Sequence, residues 1–386
     1  MTVQQPLPVQ HPSVWTASQQ NATPEEWCYV LSPTDVAEID AALLHLQHKG
    51  LAVTDVTQQD FQLPTLGPKL KQFIKEVVDG RGFQIIKGVP VHRYTAAEST
   101  TVYWGLGTYW GKIVPQNKKA HLIGHVRDIH EGNGLKNPIN RVYSTNAAEP
   151  WHVDDADVVG LLCLNTAKEG GLTSWASSGS IYNRLLQSHP EYVKVLSEDC
   201  YLDRKNEIPA GKKPYFVLPV FTSHKGHLCC FYADNYYQLC QRHEGVPRLT
   251  PTQLAAFAEF NRLAGLDELR MDMKLQPGDI QLLHNHSIVH CRSGFTDYQE
   301  EERKRHLLRM WITPEQGWPL PEQFADRYHT VEIGNRGGIY CPNERPYVPL
   351  GPISVMHQSV QSRYNRNDHA MWCVHTVLDD AFKRHT

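Results

Sequence analysis

The sequence predicts a mixed α+β protein in which an N-terminal α/β layer packs on a β-sandwich or barrel core. Three observations carry this prediction. Apolar residues recur at roughly helical spacing between Ser32 and Gly107. From Arg141 onward, short β-rich segments alternate with turn residues. No obvious flexible linker divides the two regions. Periodicities near 3.6 and near 2 separate the helical part from the stranded part.

Residues 1–26 are rich in Gln, Pro, Ser and Thr and read as a disordered or mobile tail. They have neither the basic start nor the apolar stretch of a signal peptide. Ser32 and Pro33 supply an N-cap and a first-turn proline for a helix with apolar positions Val36, Ile39, Leu43, Leu44 and Leu46. A second helix is expected over Pro68–Asp79, ending at Gly80-Arg81-Gly82, with a strand from Phe83 to Gly88. A third helix covers Ala96–Gly107. This layer occupies about 27–140.

The core occupies about 141–340. Val158–Leu164 is a continuous apolar run of strand length, and Tyr215–Leu218 and His227–Tyr232 are further strands. Lys274–Leu283 reads as strand, tight Pro277-Gly278 turn, strand. Arg305–Thr313 is another strand, and helices over Ser180–His189 and Pro251–Ala264 interrupt the β pattern. Residues 341–386 form a C-terminal extension, and 27–386 read as a single catalytic domain.

The chain has 386 residues, 41% hydrophobic and 20% charged, the balance of a soluble globular protein. With 38 Lys plus Arg against 41 Asp plus Glu, it has no basic footprint for nucleic acid or an anionic membrane. No apolar run approaches the ~20 residues that span a bilayer. The nine cysteines form no C-x-x-C pair and read as reduced thiols of a cytoplasmic protein. The expected partner is a small-molecule substrate, with a homo-oligomer left open.

Trp151-His152-Val153-Asp154 precedes the apolar strand. In extended chain, His152 and Asp154 share a face and can chelate one ion. A third ligand would come from His284–His290, where His286 and His290 compete. Two imidazoles and one carboxylate leave coordination positions open, as non-haem Fe(II) requires when it binds a cosubstrate and O2 together. An H-x-D alone is weak in a chain with 21 histidines. Its company strengthens it. Arg305, Leu307 and Arg309 share one strand face, and inward arginines need anionic partners. Their planar forks suit carboxylates. The Thr173 hydroxyl, in Gly170–Trp175, could donate to a carboxylate. Tyr103, Trp104 and Trp110 read as core rather than substrate wall.

In order and spacing, these motifs resemble the TauD/TfdA family of Fe(II)/2-oxoglutarate dioxygenases, including its clavaminate synthase-like branch. The resemblance rests on H-x-D at His152 and Asp154, G-G-x-T-x-W at Gly170–Trp175, N-H-x-x-x-H-x-R-x-x-F at Asn285–Phe295, and R-H-L-L-R-x-W at Arg305–Trp311. Val114–Asn117 and Gly124–Asp128 are similar to a fungal-type branch. The likeness spans roughly residues 80–340.

The resemblance implies a double-stranded β-helix (jelly-roll) core with surrounding helices. His152, Asp154 and His290 would hold Fe(II), with His290 preferred over His286 because it precedes the C-R-S-G-F segment. Arg305, helped by Thr173, would bind the distal carboxylate of 2-oxoglutarate. Arg309 would assist the cosubstrate or reach the substrate, and Ile339, in Gly337–Tyr340, is a second candidate substrate contact. Asp at 154 argues against the halogenating relatives, and Thr145–Pro150 differs from the sulfonate-specific ones. The implied reaction consumes O2, releases succinate and CO2, and hydroxylates, desaturates or cyclises a small substrate, such as an amino acid or secondary-metabolite precursor. Two other readings remain: a Zn(II) hydrolase on the same ligands, and an inactive jelly-roll binding module.

Overall fold

The computed structural model describes residues 7–130, 140–339, 341 and 343–351. Its centre is two facing sheets. The larger has seven strands, ordered Cys28–Val30, Phe83–Lys87, Ile280–His284, Val158–Asn165, His306–Thr313 and Lys112–Ile113, with Ile123–Val126 also paired to His306–Thr313. The smaller has four, ordered Arg270–Met273, Thr173–Ser177, Ile288–Arg292 and Glu149–His152. From Glu149 to Thr313 the chain passes back and forth between the sheets, which is the winding of a double-stranded β-helix. Their inner faces meet through Phe83, Val159, Leu283 and Trp311 on one side and Trp175, Met271 and Ile288 on the other, all buried. Val158–Asn165 lies inside the large sheet and reads as an apolar run, whereas His306–Thr313, which reads as an apolar-polar alternation, is buried along its whole length.

The N-terminal layer forms as its local signals dictate. Ser32 and Asp35 make a reciprocal capping box, Pro33 opens the helix, and Gly50 closes it in the left-handed conformation at φ 65°. Ile39, Leu43 and Leu46 are buried, whereas Leu44 is 55% exposed. The helix over Leu66–Asp79 lies on strands Phe83–Lys87 and Ile280–His284. The Ala96–Gly107 helix lies on Val158–Asn165 and His306–Thr313, and Tyr103, Trp104 and Trp110 are core residues. Residues 178–269, inserted between two small-sheet strands, contribute helices Ser178–Ser188, Pro190–Leu196 and Pro251–Ala264 and two short hairpins. No helix among the described residues is long and apolar enough to cross a membrane, and all described cysteines are free.

Two expectations are corrected. Residues 7–26 are not a mobile tail. Thr16 and Gln19 form a capping box on the Ala17–Asn21 helix. Trp15 is buried, donates from Nε1 to Arg81 O at 2.8 Å and packs edge-on against Phe83. A polar composition concealed one large apolar anchor. Pro277-Gly278 does not turn a hairpin: the preceding strand is Arg270–Met273 in the small sheet, and the turn hands the chain to the large one. Residues 1–6 and 352–386 lie outside the described residues.

Candidate active site

The small sheet sets the candidate ligand pair. Its register places His290 directly opposite His152, with ring centroids 4.3 Å apart. Pro150 and Trp151 then face the single residue Cys291 before Glu149 pairs with Arg292, a bulge containing Pro150. The bulge brings Glu149 to the same side as His152, and Glu149 Oε1 lies 3.7 Å from His152 Nε2. His152 Nδ1 donates to Pro150 O at 2.8 Å, which leaves the Nε2 lone pair free. Asp154 follows just past the strand, with Oδ2 3.7 Å from His290 Nε2. One potential ligand atom from each of His152, Asp154 and His290 lies within 4.8 Å of the others.

Asp154 is gripped from behind. Its Oδ1 accepts from Arg309 Nη1 at 3.1 Å, and its backbone N–H donates to Asn285 Oδ1 at 3.0 Å. Arg309 Nε donates in turn to Gln116 Oε1 at 2.9 Å. Gln116 Nε2 donates to Arg309 O and Leu122 O at 2.9 and 3.1 Å. Gly124 pairs with Arg309 in the sheet, and a Cβ there would collide with the Gln116 amide. Burial alone would raise the Asp154 pKa. Arg309 and His290 outweigh it and hold the carboxyl well below its usual range. His152 is lowered by burial and by His290, so it stays neutral and available as a ligand.

The other sequence candidates separate. His286 Nε2 pairs with Asp157 Oδ1 at 2.7 Å, and Asp157 also takes Arg336 and Thr313; His286 is thus spent on a buried network away from the triad. Arg305 is buried and its Nη1 has no hydrogen-bond partner among the described residues. Burial, then Arg292, lowers its pKa to about 10. Thr173 is buried and donates to Gln281 Oε1 at 3.2 Å. Arg309 is less free than expected, since Asp154 and Gln116 engage it, although its Nη2 is unpartnered. Ile339 stands apart from the other candidates. It packs in the core with Val114, Ala156 and Trp311, its N–H tied to Pro115 O at 2.7 Å, and it does not line the cavity over the triad. Tyr340 lies outside the described residues.

Sequence reasoning missed three groups. Arg292 is Cα-paired with Thr173, and it shares the Phe295 ring with Arg305, each guanidinium 5.0 Å from the centroid. Its Nε and Nη1 are buried and have no partner among the described residues. The H-x-R spacing held that signal. Gln116 lay in a noted motif without a role. Lys205, from the insertion, lines the cavity over the triad together with Arg141, Tyr143, Glu149 and Tyr236; no local pattern marks it.

Two imidazoles and one ionised carboxylate suit a borderline divalent ion with open positions, and Fe(II) fits that donor set. Buried guanidinium N–H groups on Arg292 and Arg305 with no acceptor among the described residues suit a dicarboxylate cosubstrate.

The family model described as "Taurine catabolism dioxygenase TauD, TfdA family" matches residues 47–311. The chain is 33% identical over 321 residues to FR-33289 synthase of Streptomyces rubellomurinus, covering 82% of this chain and 94% of that protein. It is 31% identical over 340 residues to taurine hydroxylase-like protein SAT17 of Stachybotrys chartarum, covering 86% and 87%. In fold it is similar to asparagine oxygenase solved with Fe(II), 3-hydroxyasparagine and succinate, at TM-score 0.57 and 14% identity over 74% of this chain and 93% of that one. The non-heme iron oxygenase OrfP, solved with Fe and alpha-ketoglutaric acid, gives TM-score 0.56 at 15% identity, covering 74% and 93%.

Proposed function

The chain belongs to the TauD/TfdA family of dioxygenases, and from that premise we propose that it oxidises a C–H bond of a small, carboxylate-bearing substrate such as an amino acid or a secondary-metabolite precursor. It is an Fe(II)- and 2-oxoglutarate-dependent oxygenase. Bound Fe(II), with 2-oxoglutarate and O2, supplies the oxidising power, and the cosubstrate leaves as succinate and CO2. The observation that carries the assignment of the site is the convergence of His152, Asp154 and His290 within 4.8 Å, with a buried arginine, Arg305, in the same core.

In this reading His152 offers Nε2 because Pro150 O holds its other nitrogen. Asp154 stays ionised because Arg309 faces it. Arg305, with Thr173 nearby in the core, receives the distal carboxylate of the cosubstrate. Arg309 orients Asp154 and has one donor, Nη2, left to offer. The protein's share of the chemistry is to present one C–H bond and keep others away. Whether the product is hydroxylated, desaturated or cyclised follows from which bond is presented. A Zn(II) hydrolase would leave the guanidinium groups of Arg292 and Arg305 without a purpose.

Anaerobic addition of Fe(II) and 2-oxoglutarate should produce a visible metal-to-ligand charge-transfer band. Asp154→Ala and His152→Ala should lose the band and all substrate-dependent succinate release. Full succinate release by either variant would remove the metal assignment.

A further inference from the structure

The cavity over the triad is lined by a buried ammonium that no described carboxylate contacts directly. Lys205 is 5% exposed, and its ammonium makes no ion pair with a described residue; it lies 4.5 Å from the centroid of the Tyr236 ring. Three of the acids around it are paired elsewhere, and Glu149 acts on it only from a distance. Asp203 is bound by Arg242 at 2.9 Å and His243 at 2.7 Å, Glu207 by Arg141 at 2.7 Å, and Asp155 by Arg327 at 2.6 Å. Glu149, also on the lining, lies beside His152 on the metal side. A buried lone ammonium is costly unless something pairs with it.

The backbone holds Lys205 there against its preference. Lys205 and Asn206 are consecutive non-glycine residues in the left-handed region, at φ 47° and 62°. The Lys205 N–H is pinned to Asp203 Oδ1 at 2.6 Å. Strain of this kind concentrates where a side chain must be aimed. Arg309, also on the lining, is committed to Asp154 through Nη1 and keeps only Nη2 to offer, while Arg292 and Arg305 sit by Phe295 and do not line this cavity.

We propose that Lys205, with Arg141 beside it, is the recognition site for an oxyanion group of the substrate, a carboxylate or a phosphonate, held above the face of His152, Asp154 and His290. The inference rests on the oxygenase reading and deepens it. Two anions would then enter from different sides: the distal carboxylate of the cosubstrate toward Arg305, and the substrate's head group toward Lys205. Burial and the Arg141 charge lower the Lys205 ammonium to about 8 against the opposing pull of Glu149, Asp203 and Glu207, and an entering oxyanion would stabilise its charged form further.

The test uses protein loaded anaerobically with Fe(II) and 2-oxoglutarate, titrated with methylphosphonate and with carboxyl-labelled acetate. Paramagnetic broadening of the phosphorus or carbon resonance reports binding near the metal, and the charge-transfer band is followed in parallel. One probe should bind wild type saturably, and the one that does so identifies the head group. Lys205→Met should weaken that binding by about tenfold or more while keeping the band, and Lys205→Arg should restore much of it. Failure of both probes to bind wild type, or equal binding by Lys205→Met, overturns the proposal while an intact band leaves the oxygenase reading standing. Absence of the band from wild type would remove both.

Discussion

Arg309 Nη1 donates to Asp154 Oδ1 at 3.1 Å across 155 positions of chain, so the carboxylate on the metal face is oriented by a guanidinium on the other sheet. Gln116 fixes that guanidinium, and Gly124 leaves the space in which Gln116 sits. Gly124→Ala should push the Gln116 amide aside and loosen Asp154 without touching a proposed ligand. The expected result is about a tenfold loss of Fe(II) affinity, in the range seen for groups that support metal ligands. Anaerobic Fe(II) titration checks it, and unchanged affinity would show that Arg309 needs no support from Gln116.

Arg305→Ala removes a buried guanidinium with a free donor. The 2-oxoglutarate KM should rise by about 10- to 100-fold, since a charge-assisted bond is worth roughly 1.5–3 kcal/mol. At saturating cosubstrate, kcat should fall much less. Succinate release against 2-oxoglutarate concentration separates the two. Arg292→Ala should act in the same direction; an effect on kcat alone would assign Arg292 to another task.

The N-terminal anchor makes a claim about stability. Trp15→Ala deletes a buried ring packed on Phe83 and should cost about 3 kcal/mol. Denaturant unfolding should show the loss as a lower midpoint. A midpoint within experimental error of wild type would return residues 7–26 to the status of a loose tail.

Lys205 should cost the ligand-free protein stability. Its pKa falls from 10.5 to about 8, with burial the largest cause and Arg141 the next. Between those values the unfolded chain binds a proton that the folded chain does not, so this residue makes stability rise with pH across that window. Below pH 8 both states are protonated and the full cost of the buried charge is present. Lys205→Met should therefore be more stable than wild type at pH 7, by on the order of 2 kcal/mol, with the gap narrowing toward pH 10. Thermal unfolding of both proteins across that range measures it, and a gap that widens with pH would contradict the assignment.

Elements with local signals were legible. The Ser32-Pro33 start, the glycines after Asp79 and the apolar run from Val158 each encode their structure within a few residues. His152 and Asp154 were legible as a chelating pair because two-residue spacing in extended chain needs no tertiary information. What sequence could not show depends on distance. Gln116 meets Arg309 across 193 positions, and only the packed sheet brings them together. Lys205 sits in a turn whose importance comes from Tyr236 and Arg141, not from its neighbours in sequence. Glu149 was obscured because a bulge at Pro150 breaks the alternation that would have sent it to the opposite face. The tail was misjudged for a different reason: Thr16-Ala17-Ser18-Gln19 is a legible helix start, but the surrounding composition outweighed it.

The cross-strand pairing of His152 with His290 bears on how the protein acquires its ion. A ladder of backbone bonds fixes the spacing of the two rings, so the polypeptide need not reorganise when a cation arrives. Treatment with a chelator should therefore yield a folded, inactive protein that regains activity on simple readdition of iron. Which divalent ion sits there in a cell would then be decided by supply and by the softness of the donors, because the scaffold itself exerts no selection through folding.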